Sequence, residues 1–375
     1  MMKIMSVFGT RPEGIKMAPV VQALEQDPDI ESIFVNTAQH RDMLDQVLHL
    51  FDITSDYDLN LMKEGQSLED LTNRLIDKVS KVIEKEEPDL VLVHGDTTTT
   101  FVGAYAAYLQ KVPVGHVEAG LRTHNIYSPF PEEINRQLVS KIATYHFAPT
   151  NRNKENLLRE NVSGDNIQVV GNTVIDALLE ISRRTSNLPN ELENILATGK
   201  KTILLTMHRR ENLEALQSVY RAIHRIVAAN DDVQVIFPIH KNPVIREMAL
   251  DEIGGNTDIY LIEPLEYEQF IHVMKNVYLI ITDSGGIQEE APGLGIPVLV
   301  ARDTTERPEG VEAGTLRLVG TSEDIIVLET QRLLSNEDSY KMMSEVQNPF
   351  GQGDSANKIV AYIKRNVGQG LLVSK

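Results

Sequence analysis

The sequence contains no cysteine, which excludes disulfides, thiolate zinc sites and a cysteine nucleophile, and suits a reducing compartment. It is also short of positive charge. Its 36 Lys and Arg stand against 54 Asp and Glu, a formal net charge of -18, so the basic face that a nucleic-acid partner requires is not expected. A few local arginines and lysines can still hold a diphosphate inside an acidic shell. No apolar run approaches the ~20 residues that span a bilayer, and Met1 to Phe8 is too short a run for a signal peptide. No membrane partner is expected, and the cytoplasm is. Low-complexity segments and short-period repeats are absent.

Several motifs are incomplete in ways that remove their chemistry. Gly9-Thr-Arg-Pro-Glu-Gly-Ile-Lys16 nearly spells a P-loop, but that motif needs Lys directly after its second glycine and then Ser or Thr. Here Ile15 intervenes and Met17 follows. His40-Arg-Asp42 resembles a kinase catalytic loop, yet Val47 stands where a metal-binding Asn belongs and no Asp-Phe-Gly follows. Ser284 lacks a Gly-x-Ser-x-Gly elbow, so it is not read as a nucleophile. His116 and Glu118 are strand alternates on one face, but no His-x-x-x-His or carboxylate-rich loop completes a metal site, and none is expected.

What is present is an ordinary globular composition, 42% hydrophobic and 24% charged, on 375 residues, a length that suggests two domains. Strand-like runs at Lys3 to Phe8, Ser32 to Thr37, Leu90 to His94, Val112 to Val117 and Tyr145 to Ala148 alternate with helical patterns. The pattern Leu68, Leu71, Leu75, Val79, Val82, Ile83 within 68–87 is the plainest of these helices. A second series follows at Thr202 to Thr206, Val233 to Pro238, Ile259 to Ile262, Leu279 to Thr282 and Val298 to Ala301, and Ser355 to Val367 is helical. Alternation of this kind is the signature of parallel α/β sheets. The expectation is therefore two Rossmann-like, doubly wound domains facing across a cleft. The first is placed at 1–171 with a C-terminal helix at about 362–375, the second at 172–361.

Open α/β sheets bind ligands at the carboxyl ends of their strands, and reactive side chains gather at those ends here. Thr282-Asp-Ser-Gly-Gly-Ile-Gln-Glu-Glu290 places Ser284, Gly285 and Gly286 between a strand and one short helix expected over Ile287 to Leu294. Unpaired N–H groups and the helix dipole favour an anion at such a place. Arg307, after the next strand, adds a guanidinium suited to a diphosphate. In the first half, Arg11 and Lys16 open the first helix, which is expected from about Ile15, while Asp96, Glu118 and Glu132 follow later strands; His208 ends the first strand of the second half. Taken singly, Asp96 has a duller explanation as a helix cap and Glu132 as a dipole complement. Three carboxylates and an imidazole beside a phosphate corner suit reversible proton transfer next to a diphosphate leaving group.

Eight motifs in chain order carry a family resemblance: Phe8-Gly-Thr-Arg-Pro-Glu13, Gln39-His-Arg41, His94-Gly-Asp-Thr97, His116-Val-Glu-Ala-Gly-Leu-Arg-Thr123, Pro131-Glu-Glu-Ile-Asn-Arg136, His208-Arg-Arg-Glu-Asn212, Thr282 to Glu290, and Arg302-Asp-Thr-Thr-Glu-Arg-Pro-Glu309. From about Lys3 to the C-terminal helix the chain resembles the bacterial non-hydrolysing UDP-N-acetylglucosamine 2-epimerases. The resemblance implies the two-domain fold of the phosphorylase-type (GT-B) glycosyltransferases, with the last helix crossing back onto the first domain, and a homodimer. It implies reversible conversion of UDP-GlcNAc to UDP-ManNAc with no added cofactor, by elimination of UDP to 2-acetamidoglucal and re-addition, supplying a cell-surface polysaccharide such as capsule or teichoic acid linkage. By the same resemblance Asp96, Glu118, Glu132 and His208 carry catalysis. Arg11, Lys16, Phe270, Ser284, Gly285, Gly286, Glu290 and Arg307 contact the UDP-sugar, Glu290 at the ribose.

Some members of the family also bind a second UDP-GlcNAc as an activator. Gln39, Gln66, Arg209 and His240 match positions used there, whereas Asp42 and Gly65 stand where such members often carry Gln and Arg. Three other readings share parts of this pattern. A same-fold glycosyltransferase would pass the sugar to an acceptor, a hydrolysing epimerase would release free ManNAc, and a silent nucleotide-sugar sensor could dispense with the carboxylates.

Overall fold

The structure, a computed structural model, describes residues 1–38, 41–62, 65–185, 188–207, 213–239 and 242–367. It divides into two compact units, Met1–Ala177 with Gly351–Lys375, and Leu178–Phe350. Where the sequence reading set divisions after 171 and 361, the chain divides after Ala177 and Phe350. The first division falls inside a helix, where no turn residue marks it.

The first unit is built on strands β1 (Met2–Phe8), β2 (Ile30–Asn36), β3 (Tyr57–Asp58), β4 (Leu90–His94), β5 (Val114–Val117), β6 (Tyr145–Ala148) and β7 (Ile167–Val169). Its helices are α1 (Arg11–Glu25), α2 (Arg41–Leu50), α3 (Leu68–Glu86), α4 (Thr98–Leu109), α5 (Glu132–Ile142), α6 (Asn151–Arg159) and α7 (Thr173–Arg183), the last running across the division. The strands form one parallel sheet in the order β3-β2-β1-β4-β5-β6-β7. The order reverses between β1 and β4, which is where doubly wound sheets bind ligands. Met5, Val7, Val35, Val91 and Val93 meet Leu71, Leu75, Val79, Val82 and Ile83 of α3 in the core. Leu68, the first residue of α3, is exposed instead, ahead of the buried stripe.

Helix α1 begins at Arg11, not at about Ile15, because Thr10 and Glu13 form a capping box and Pro12 lies in the first turn. Gly14 is therefore a helix residue; a Cβ on it would run into Leu44 Cδ1, so glycine lets α2 approach α1.

The second unit has β8 (Lys201–Thr206), β9 (Val233–Pro238), β10 (Ile259–Ile262), β11 (Leu279–Thr282), β12 (Val298–Val300) and β13 (Leu316–Leu318), with α8 (Asn190–Leu196), α9 (Leu213–Ala228), α10 (Pro243–Ile253), α11 (Tyr267–Lys275), α12 (Gly285–Glu290), α13 (Pro308–Ala313), α14 (Glu323–Ser335) and α15 (Glu337–Ser344). Its parallel sheet runs β10-β9-β8-β11-β12-β13, with the same reversal, between β8 and β11. Both units are thus Rossmann-like.

Helix α16 (Ser355–Asn366) returns to the first unit. Ile359, Val360 and Ile363 are buried, Tyr362 sits edge-on to Tyr145 and Phe147, and Lys364 bonds Asp27 and Asp29 beyond the end of α1.

Strands β3, β7 and β13 were not anticipated. They are two or three residues long at sheet edges, too short for a period to register. The single helix expected over Ile287 to Leu294 is instead α12 followed by a 3₁₀ turn, Ala291–Leu294, where Pro292 ends the α-helical ladder.

Candidate active site

In the first unit, the loops after β1, β4 and β5 carry the candidate residues. Glu13 ties two of them. Its Oε2 accepts from the N–H of Gly9 (3.1 Å) and Thr10 (2.8 Å), and its Oε1 from the hydroxyls of Thr97 (2.7 Å) and Thr100 (3.2 Å). One buried carboxylate thereby docks the start of α1 to the start of α4. Thr97, not Asp96, caps α4, so the Asp96 carboxylate is left for other work. It pairs with Arg136 of α5, Nη2 to Oδ2 at 2.7 Å. Asn135 of the same helix donates to the Asp96 carbonyl (2.9 Å). Burial pushes the Asp96 carboxyl above its ordinary range, opposed by Arg136 and reinforced by the charge of Glu118.

Glu118 follows β5 with φ of 62°, a left-handed conformation that only the surrounding structure can impose on a glutamate. Its carboxylate is bonded by Lys16 of α1 and, at 3.2 Å, by Asn172 Nδ2 just ahead of α7. His94 Nε2 stands 3.6 Å away. Burial opposes ionisation most strongly, yet Lys16 and His94 together hold Glu118 well below the ordinary carboxylate range. Two neighbouring carboxylates are thus driven in opposite directions, the arrangement that separates acid from base. His116 takes no part in that chemistry. It is fully buried with Nε2 2.7 Å from the Gly95 carbonyl, and burial pushes it down to about 3. Among the described residues no group of His, Asp and Glu is placed to hold a metal ion.

Glu132 is the first residue of α5, half-buried, and pairs with no described side chain. Its neighbour Glu133 is fully buried and structural: it accepts from the N–H of Thr123 (3.0 Å) and His124 (3.1 Å) and from Gln137 (2.8 Å). Arg11 is half-buried on the first turn of α1 and likewise has no described partner. The structure thus brings Lys16, Asp96 and Glu118 together in one cluster.

In the second unit, Ser284 occupies the N-cap of α12 without its hydroxyl bonding into the helix. The Arg307 guanidinium carbon lies 3.6 Å from where a Cβ of Gly285 would be, whereas a Cβ on Gly286 would meet nothing within 4 Å. Arg307 is aimed by Glu289, Nε to Oε1 at 2.6 Å. Glu290 accepts from the Tyr267 hydroxyl at 3.2 Å, and Phe270 lies half-buried one turn further along α11. This corner presents an open glycine face and a held guanidinium, which are anion-binding parts.

His208, Gln39, Arg209 and His240 lie outside the described residues. Gln66 is half-buried; its amide donates to Met62 Sδ (2.8 Å) and its carbonyl accepts from Arg74. Glu13, Arg136, Asn172 and Glu289 were missed as site-forming residues. Thr10-x-x-Glu13 was readable as a capping box, but the long-range partners of the other three leave no mark in local sequence.

The sequence profile of the family described as UDP-N-acetylglucosamine 2-epimerase matches residues 22–364. The UDP-N-acetylglucosamine 2-epimerase of Bacillus subtilis is 53% identical over 96% of this chain and 94% of its own. That of Escherichia coli K12 is 50% identical over 97% and 99%. A crystal structure of UDP-GlcNAc 2-epimerase from Neisseria meningitidis bound to UDP-GlcNAc, 46% identical, superposes with a TM-score of 0.85 over 97% of this chain and 100% of that one. Its likeness places the two Rossmann-like units in the GT-B class.

Proposed function

The chain belongs to the non-hydrolysing UDP-N-acetylglucosamine 2-epimerases and is an isomerase, and from that premise we propose that it interconverts UDP-GlcNAc and UDP-ManNAc by eliminating and re-adding UDP. A base removes the proton at C2 while the C1–O bond breaks and its electrons leave with UDP, giving 2-acetamidoglucal. UDP then re-adds at C1 as a proton reaches the opposite face of C2. Inversion at C2 needs a proton-transfer group on each face. The observation that carries this reading is the pair of carboxylates in one cluster, Glu118 bonded by Lys16 and Asp96 paired with Arg136, two groups that can exchange protons from different positions.

The remaining residues divide between the two jobs. Glu132 and His208 serve as the further acid–base groups named by the resemblance. Ser284, Gly285, Gly286 and Arg307 hold the diphosphate, Glu290 the ribose hydroxyls and Phe270 the uridine side, with Arg11 and Lys16 contributing positive charge from the first unit. Incubation with UDP-GlcNAc followed by chromatography tests this. UDP-ManNAc with no loss of total nucleotide sugar is the expected product; free ManNAc with UDP, or a product larger than the donor, contradicts it.

The enzyme works as a cytoplasmic homodimer in this proposal. Phe101, Tyr105 and Tyr108 stack along one face of α4, Tyr105 and Tyr108 exposed, beside Ile134 and Leu138 on the neighbouring α5. Such an apolar face suits a second copy. Sedimentation at twice the 42.0 kDa chain mass supports it, and a single-chain mass excludes it. Gln39, Gln66, Arg209 and His240 receive a second UDP-GlcNAc as activator. UDP-ManNAc alone then turns over poorly until UDP-GlcNAc is added; brisk turnover without it removes the activator. The product supplies ManNAc for a cell-surface polysaccharide, and loss of ManNAc from that polymer in a deletion strain is the corresponding observation.

A further inference from the structure

Asn172 stands at a junction no motif marks. Its side-chain oxygen accepts the Val174 N–H at 3.0 Å, capping α7, and this fixes which way the amide points. The nitrogen therefore faces the Glu118 carboxylate, 3.2 Å from Oε2, the oxygen that Lys16 also bonds. The residue is 3% exposed, so no rearrangement of a surface side chain is involved. The return crossing of the chain lies against it: a Cβ on Gly351 would be 3.4 Å from the Asn172 backbone nitrogen, and Asp176, one turn into α7, accepts the Ala356 N–H at 3.0 Å. The start of α7, the start of α16 and Glu118 are thus locked to one another through one amide and one carboxylate.

We propose that Asn172 is a positioning residue for the epimerisation, holding the Glu118 carboxylate in its reactive orientation and favouring its charged form by donating a hydrogen bond. This rests on the reading of Glu118 as a proton-transfer group. Among the described residues, the groups facing Glu118 are Lys16 from α1, His94 from β4 and Asp96 from the loop after β4, itself held by Arg136 of α5. Lys16 brings the pocket its positive charge. Asn172 supplies direction, because an ammonium can follow a carboxylate about while a capped amide cannot.

Asn172→Asp separates this role from the cap. The aspartate keeps an oxygen for the Val174 N–H but offers Glu118 no donor and adds a like charge. The expected result is a melting temperature within about 3 °C of the parent, kcat lowered about tenfold or more, and the acid limb of the kcat/KM profile moved upward by about one pH unit. Asn172→Ser, which caps but cannot reach Glu118, should move the limb less in the same direction, and it serves if the aspartate variant does not fold. A parental kcat and pH profile in both variants overturns the inference, as does a lower kcat with an unmoved acid limb. Glu118→Gln run in parallel keeps the two readings apart. If it retains activity, the proton-transfer reading fails; if it is inactive while the Asn172 variants are unaffected, the positioning inference fails alone.

Discussion

Glu118 and Asp96 follow neighbouring strands, yet their environments drive them apart, and their variants should behave differently. Glu118→Gln should lower kcat by about a thousandfold, as loss of a general base does. Asp96→Asn should lower kcat comparably while leaving the melting temperature at or above the parent near neutral pH, because burial disfavours the charged aspartate. A thermal scan of both with product chromatography checks this. The same shifts act on stability in opposite senses. Glu118, depressed in the fold, contributes stability present above its unfolded value near 4.5 and lost as pH falls through its folded value. Asp96, raised in the fold, favours the folded state when protonated and loses that contribution as pH rises through its folded value. Both carboxylates were readable as candidates because they end apolar strand-like runs. The pairings were not: Lys16 lies 102 residues from Glu118 in sequence, and the motif that ends in Arg136 does not say that its guanidinium meets Asp96.

The loops that carry these residues are fixed by helix starts. Glu13 satisfies three donors from two loops, the N–H groups of Gly9 and Thr10 and the hydroxyl of Thr97, while the Thr100 hydroxyl also has the His94 carbonyl. Glu13→Ala should therefore destabilise by about 2–4 kcal/mol, since buried donors are left without acceptors, which denaturant titration would read directly. Loss of less than about 0.5 kcal/mol would mean that the two loops hold without it. At α12 the forecast is the reverse. Gly286→Ala should fold normally, since its Cβ enters open space, but raise KM for UDP-GlcNAc about tenfold or more by occupying the room a phosphate needs. An unchanged KM would remove the diphosphate from this corner. The capping box of α1 was legible and was misjudged because Gly14 looked like the end of a loop. The edge strands were not legible at all: two or three residues carry no periodicity, and only their pairing in the sheet defines them.

Across the chain, strand and helix alternation was enough to foresee two parallel sheets, since buried parallel strands read as short apolar runs between amphipathic helices. The division points were less visible, because α7 runs through one and α16 belongs with residues more than 300 positions earlier. Nor does a net charge of -18 conflict with an anionic substrate, as single cations can be held in place inside an acidic shell, as Lys16 is by Glu118 and Arg307 by Glu289, each within its own unit. Epimerisation by this route requires proton exchange at C2 without loss of the UDP linkage. Proton NMR of UDP-GlcNAc incubated with the enzyme in D2O tests that directly. UDP-ManNAc and UDP-GlcNAc both carrying deuterium at C2, with the glycosyl phosphate intact at equilibrium, is the predicted result. UDP-ManNAc that retains its C2 proton, or free sugar accumulating with UDP, would contradict it.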